Sequence, residues 1–200
     1  LIEKQPQQEL SHYTSQGFNR EQIKTLQSKD YITTQQPVDT HAPSIANDIF
    51  LSLNDEQKHA YESISALSSF STHLIYGITG SGKTEIYMHW IRDMLNCDQQ
   101  ILVLVPEIAL TPQTQHRFEK RFPNATVMIH SKLSPTQQHK AWWKSQHLKA
   151  SIILGTRSAL FYPIPKLGGI IIDEEHDLSY QQTEGFRYNA RDTAIMRAKL

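Results

Sequence analysis

The octet Gly77-Ile78-Thr79-Gly80-Ser81-Gly82-Lys83-Thr84 carries the spacing G-x-x-x-x-G-K-[ST], a pattern whose residue types suit a triphosphate. Gly77, Gly80 and Gly82, with Ser81 among them, let the backbone wrap around anionic oxygens, so that N–H groups and a helix N-terminus supply positive potential. Lys83 adds a full charge at the β and γ phosphates, and Thr84 offers its hydroxyl to Mg2+. Downstream, Gly169-Ile170-Ile171-Ile172-Asp173-Glu174-Glu175-His176 is an apolar run ending in acids. Asp173 at the tip can hold Mg2+ through its water shell, and Glu174 can orient and polarise an attacking water. Consecutive strand-end residues point in different directions, so one acid can face the metal and the next the γ-phosphate. The chemistry expected is binding and hydrolysis of ATP with Mg2+, with Lys83, Asp173 and Glu174 catalytic. Gln57, in Leu53-Asn54-Asp55-Glu56-Gln57, has two readings. Its amide suits adenine recognition, and it also lies three residues after Asn54, where a capping-box partner belongs.

These groups need a scaffold, and the chain reads as an α/β lobe. Strands are expected at His73–Tyr76, Ile101–Val105, Thr126–Ile129, Ser151–Leu154 and Gly169–Ile172. Helices are expected from Asn54 and over Lys83–Leu95, Pro112–Arg121 and Pro135–Ser145. Continuous Ile/Val/Leu strands with helices between them imply a mainly parallel sheet covered on both faces, here a RecA-like P-loop NTPase lobe over residues 49–200. Residues 33–48 are polar with Pro37 and Pro43 and read as a linker. Residues 1–32 are sparse in apolar positions, with a helix from Arg20 to Lys29 capped by Asn19, and read as a partial winged-helix remnant too small to fold securely alone. Leu1 is not an initiator, and Ala198-Lys199-Leu200 reads as the end of a helix, so a fragment is expected.

The 200 residues balance 20 Lys+Arg against 20 Asp+Glu, so net charge points to no partner. The distribution is more informative: between Thr111 and Lys166 nine basic residues face one acid, Glu119. A basic face on a neutral protein suits phosphate backbones. One cysteine, Cys97, excludes a disulfide framework or a Cys-rich zinc cluster in this stretch and fits a reducing cytoplasm. The ten histidines lack metal-ligand spacing. No apolar run approaches the roughly 18 residues of a membrane span, so no membrane partner is expected.

Beyond the acids lies an aromatic-rich stretch, Asp177-Leu178-Ser179-Tyr180-Gln181-Gln182 followed by Gly185-Phe186-Arg187-Tyr188-Asn189-Ala190-Arg191-Asp192. Tyr180, Phe186 and Tyr188 offer faces for base stacking, worth roughly 1–3 kcal/mol per base; Arg187 can stack or hold phosphate. Being tethered to Asp173–His176, this loop could report nucleic acid to the acids. Thr111 and Thr156-Arg157-Ser158 follow strands at their C-terminal ends, where open α/β sheets place ligand loops, and suit sequence-blind phosphate contact. Of Trp142 and Trp143, neighbours on a helix, one is expected in the core and one partly exposed.

The ordered series Leu53–Gln57, Gly77–Thr84, Val103-Leu104-Val105-Pro106-Glu107-Ile108-Ala109-Leu110-Thr111, Gly155-Thr156-Arg157-Ser158-Ala159-Leu160-Phe161 and Asp173–His176 resembles superfamily 2 helicases, more narrowly those of replication restart. Phe186 stands where many relatives carry tryptophan, which preserves stacking. The resemblance implies a monomeric 3′-to-5′ DNA helicase that recognises forked DNA, contacts single-strand-binding protein and other primosome proteins, and helps load the replicative helicase. It also implies parts this chain lacks: a 3′-end-binding domain, a cysteine-rich zinc region, and a second motor lobe with an arginine finger. Zinc is thus expected only outside the chain, and the chain alone is expected to hydrolyse ATP weakly. Other readings are a double-strand DNA translocase of the branch-migration type and a non-catalytic primosome scaffold with a vestigial phosphate loop.

Overall fold

The structure, a computed structural model, describes residues 17–28, 44–46, 50–66, 69–78 and 80–200. They fall into two compact units divided between Thr40 and His41. In the first unit, α1 (Arg20–Ser28) is the expected helix. Asn19 and Gln22 cap it reciprocally, each backbone N–H donating to the other's side-chain oxygen at 2.9 and 2.7 Å. The remainder of the winged-helix reading, and all of the linker but 44–46, lie outside the described residues. Residues 44–46 are not free tether: the Ser44 and Ala46 N–H groups donate to the carbonyls of Pro123 and Arg121 at 3.0 and 2.8 Å.

The second unit is built on a parallel sheet of four strands, ordered β2-β3-β1-β4. These are β1 (Gln100–Leu104), β2 (Thr126–Ile129), β3 (Ile152–Gly155) and β4 (Leu167–Ile172). The helices between and around them are α2 (Asp55–Ser65), α3 (Lys83–Asn96), α4 (Pro112–Arg121), α5 (Pro135–Gln146) and α6 (Ala190–Lys199). Every residue of β1 is buried, and the strand period of two divides them between two cores. Ile101 and Val103 join Ile152 and Leu154 of β3 on one face, against Tyr87, Met88 and Ile91 of α3 and Phe118 of α4. Leu102 and Leu104 join Ile153 on the other, against Ala141 of α5 and Ala190 and Ala194 of α6. Burying each such aliphatic side chain contributes roughly 1.5–3 kcal/mol, which is why the continuous apolar strands occupy the middle of the sheet.

Gln100, the polar residue opening β1, is buried with its amide satisfied: Nε2 donates to the Ser145 and Ala150 carbonyls and Oε1 accepts from the Lys166 N–H. It ties the end of α5 to the start of β4. At the other end of the sheet, a Cβ added at Gly155 would lie 2.6 Å from both the Ala159 Cβ and the Ile129 carbonyl oxygen. Gly155→Ala is therefore expected to lower stability by about 1–3 kcal/mol, as overpacking does, read as a lower urea midpoint. An unchanged midpoint would mean that the turn after β3 yields freely.

One expected strand is absent. His73–Tyr76 precedes the glycine loop but pairs with no strand of the sheet, and Leu74 and Tyr76 are 72% and 95% exposed. Among the described residues β4 is the edge strand on that side of the sheet.

Candidate nucleotide-binding site

The parallel register aligns the C-terminal ends of three strands. Val105 N–H donates to Gly155 O and Asp173 N–H to Leu104 O, both at 2.9 Å, so the segments after β1, β3 and β4 leave from one rim. This is where an open α/β sheet places its ligand.

The glycine loop opens α3. Gly82 is the N-cap residue with φ +83°, left-handed backbone that favours glycine, and a Cβ there would meet Gln57 Nε2 at 2.3 Å. The Lys83 ammonium folds back over the loop, donating to the carbonyls of Gly77 at 2.7 Å and Ile78 at 3.1 Å. A cation over a glycine-bearing turn at a helix N-terminus suits an anion.

The acids at the tip of β4 diverge. Asp173 Oδ2 accepts from the Tyr87 hydroxyl at 3.2 Å. Thr84 lies one turn before Tyr87 on α3, on the same helix face. Burial pushes the Asp173 carboxyl above the usual carboxylate range, with the Tyr87 hydrogen bond and the nearby Lys83 charge opposing that shift. Glu174 turns elsewhere, its carboxylate 3.8 Å from the exposed His176 Nδ1, on backbone with φ +49°. Glu175 pairs with Arg191 at 3.1 Å. The structure thus brings Lys83, Thr84 and Asp173 together at one site, with Glu174 beside them in sequence and aimed along a separate line.

Gln57 combines both parts of its local geometry. Its Oε1 accepts from the Asn54 N–H at 3.0 Å and its backbone N–H donates to Asn54 Oδ1 at 2.9 Å, a capping box. Its Nε2 donates to the Ser81 carbonyl at 2.9 Å. The amide is therefore a strut from α2 to the phosphate loop, with only one N–H left for a base.

The rim residues expected to face nucleic acid divide. Thr111 caps α4, accepting from the Thr114 N–H at 3.2 Å. Thr156 is 5% exposed and so is withdrawn from surface contact, because the turn after β3 tucks under the Ala159 and Leu160 core; Ser158 is exposed. Arg157 donates through Nη1 to the carbonyls of Ser179 at 3.0 Å and Gln181 at 2.6 Å. It holds the aromatic-rich loop from inside. Tyr180 is only 2% exposed, and its hydroxyl donates to the Asp173 carbonyl at 2.7 Å; it is a core residue rather than a stacking face, since turning it outward would forfeit that bond and its apolar packing. Past it, β5 (Gln181–Gln182) and β6 (Tyr188–Asn189) form a short antiparallel hairpin. Phe186 is 78% exposed, Arg187 is exposed and Tyr188 is half-buried.

Three contributors were not evident from the sequence. Tyr87 lies one turn beyond Thr84 on α3, a spacing that places the two on one face. Phe161 packs edge-on to Tyr188 at 5.2 Å between centroids, and Tyr188 tilts against Phe186 at 5.9 Å, so two loops form one aromatic row. Glu85, buried, accepts from the Leu51 N–H at 3.0 Å and from Arg121 at 2.8 Å, fixing the entry to α2. Trp142 is 43% exposed. Trp143 is half-buried rather than core, stacked on His147 at 4.4 Å.

The donor set fits magnesium. Among the described residues no group of three or more His, Cys, Asp or Glu could hold a metal, but Mg2+ on a nucleotide needs only one or two protein oxygens besides phosphates and waters. Thr84 and Asp173, linked through the Tyr87–Asp173 hydrogen bond one turn along α3, are such a pair. Among the described residues no helix is long and apolar enough to cross a membrane.

A parallel sheet with a glycine-rich phosphate cradle and a strand-end carboxylate on one rim defines a RecA-like P-loop lobe. Comparison with known families makes this specific: the DEAD/DEAH box helicase model matches residues 54–198, and the chain belongs to that family. It is 48% identical over 149 residues to the replication restart protein PriA of Haemophilus influenzae, covering 74% of this chain and 20% of that protein. Against the PriA of Bacillus subtilis it is 45% identical over 152 residues, 74% and 19% of the two chains. Against that of Rickettsia conorii it is 43% identical over 166 residues, 82% and 25%. The chain thus spans 19–25% of the length of these relatives.

Proposed function

We propose that the chain is the ATP-binding lobe of a cytoplasmic DNA helicase of replication restart, one that moves 3′ to 5′ on forked DNA and works beside primosome proteins and single-strand-binding protein. The observation that carries this reading is the Tyr87–Asp173 hydrogen bond, which joins the first turn after Lys83 and Thr84 to the strand-end acid on the rim that also bears the exposed aromatic row. Similarity to proteins named for replication restart supports the biological setting.

In this reading the loop N–H groups and Lys83 bind the β and γ phosphates, and Thr84 and Asp173 hold Mg2+. When bound, Mg2+ neutralises charge on the phosphate oxygens. Glu174 orients the attacking water and accepts its proton as the new P–O bond forms and the bond to the β-phosphate oxygen breaks. DNA reaches these groups through the hairpin. Phe186, Arg187 and Tyr188 contact the strand, with Ser158 and Thr111 on its phosphate track. Arg157 and Tyr180 transmit the loop's ordering to the Asp173 backbone.

The test is DNA-stimulated ATP hydrolysis by the intact protein. Phe186→Ala is expected to raise the DNA concentration giving half-maximal stimulation about 5-fold or more, the equivalent of losing one base stack. An unchanged DNA dependence would remove the hairpin from the DNA path. On forked substrates the protein is expected to release a strand; movement without release would identify a duplex translocase instead.

A further inference from the structure

Tyr87 stands out as a polar group whose placement the phosphate chemistry does not by itself require. It is 6% exposed and its ring belongs to the core beneath the sheet, beside Met88 and Ile91. An apolar ring would fill that space equally well. The hydroxyl instead bridges two elements distant in sequence: from α3, one turn after Thr84, it donates to Asp173 Oδ2 at the end of β4 at 3.2 Å. Asp173 itself sits at the end of β4 with its backbone committed on both sides, N–H to Leu104 O and carbonyl to the Tyr180 hydroxyl. Its carboxylate torsion is the remaining freedom, and the Tyr87 hydroxyl is the side-chain donor that bears on it, beside the local Glu174 backbone. A second tyrosine thus anchors the main chain of the same residue whose side chain Tyr87 orients.

We propose that Tyr87 is a positioning residue for magnesium, its hydroxyl orienting the Asp173 carboxylate so that this metal-side oxygen is set before the Mg-nucleotide arrives. Groups that orient a metal ligand from behind typically account for 10- to 100-fold in metal affinity. The effect belongs to the metal step alone. Phosphate contacts from Lys83 and the loop N–H groups do not pass through Tyr87.

This inference rests on the Mg-ATP reading above, and the experiment separates the two. In the intact protein, binding of a fluorescent ATP analogue is titrated with Mg2+, and Mn2+ affinity in the presence of the analogue is read by electron paramagnetic resonance. Tyr87→Phe is expected to raise the Mg2+ concentration for half-maximal tightening, and the Mn2+ dissociation constant, about 10-fold. Affinity for the analogue in EDTA stays at the wild-type value. In an Asp173→Asn background, Tyr87→Phe is expected to add nothing, because its effect acts through that carboxylate. Wild-type metal dependence in Tyr87→Phe overturns the proposal and leaves the Mg-ATP reading intact. So do equal losses with and without metal, or losses that add in the double variant, since these mark a packing role. Absence of metal-dependent analogue binding in the wild type would overturn both.

Discussion

Glu174→Gln is expected to lower DNA-stimulated ATP turnover by the intact protein about 10²–10⁴-fold, the range a positioned general base supplies. Affinity for Mg-ATP should stay within about 2-fold, because glutamine keeps the volume and one acceptor oxygen of the carboxylate while losing its charge and its ability to take a proton. The geometry argues for this separation. Asp173 is turned toward Tyr87, whereas Glu174 is directed away toward His176. Its φ of +49° is a left-handed conformation costing roughly 1–2 kcal/mol for a residue with a Cβ, a strain that persists where a side chain must be aimed. Comparable losses in binding and turnover would show that Glu174 belongs to the metal or phosphate shell.

Lys83→Ala should act at the other stage. Its ammonium donates to the Gly77 and Ile78 carbonyls, already lying over the loop that would hold the phosphates. Binding a triphosphate exchanges those neutral acceptors for anionic ones, and a hydrogen bond to a charged group is worth about 1.5–3 kcal/mol. Mg-ATP affinity is therefore expected to fall about 10- to 150-fold on its removal, measured by titration calorimetry. The variant should fold normally, since alanine is the best helix former at the first turn of α3 and the two carbonyls it abandons can turn to water. Wild-type affinity in Lys83→Ala would mean that the loop binds no triphosphate.

Much of this arrangement was legible in the sequence, and the parts that were not share a cause. The two central strands read directly as Ile101–Val105 and Ser151–Leu154, since a run buried on both faces is apolar at nearly every position. The helices opening at Pro112 and Pro135 announced themselves by proline at their first position, and α3 by the glycine loop that precedes it. The phosphate loop was legible because its glycines and lysine serve local geometry. By contrast, His73–Tyr76 has strand-like composition but joins the sheet nowhere, because pairing depends on neighbours rather than on the run itself. Tyr180 and Phe186 belong to one aromatic stretch, yet one is core and the other solvent-facing. That choice is made by Arg157 and Asp173, which reach the loop from elsewhere in the chain. The burial of Thr156 and the hydroxyl of Tyr87 are of the same kind. Spacing tells which residues share a helix face, but not which distant strand tip that face will meet.

The most direct measurement is a crystal structure of the intact protein with Mg2+ and a non-hydrolysable ATP analogue. The expected result is one magnesium ion at the β and γ phosphates, bound by the Thr84 hydroxyl and held directly or through one water by Asp173, with Lys83 drawn from the Gly77 carbonyl onto the phosphates. A nucleotide seated elsewhere, or a metal held without both Thr84 and Asp173, would contradict it.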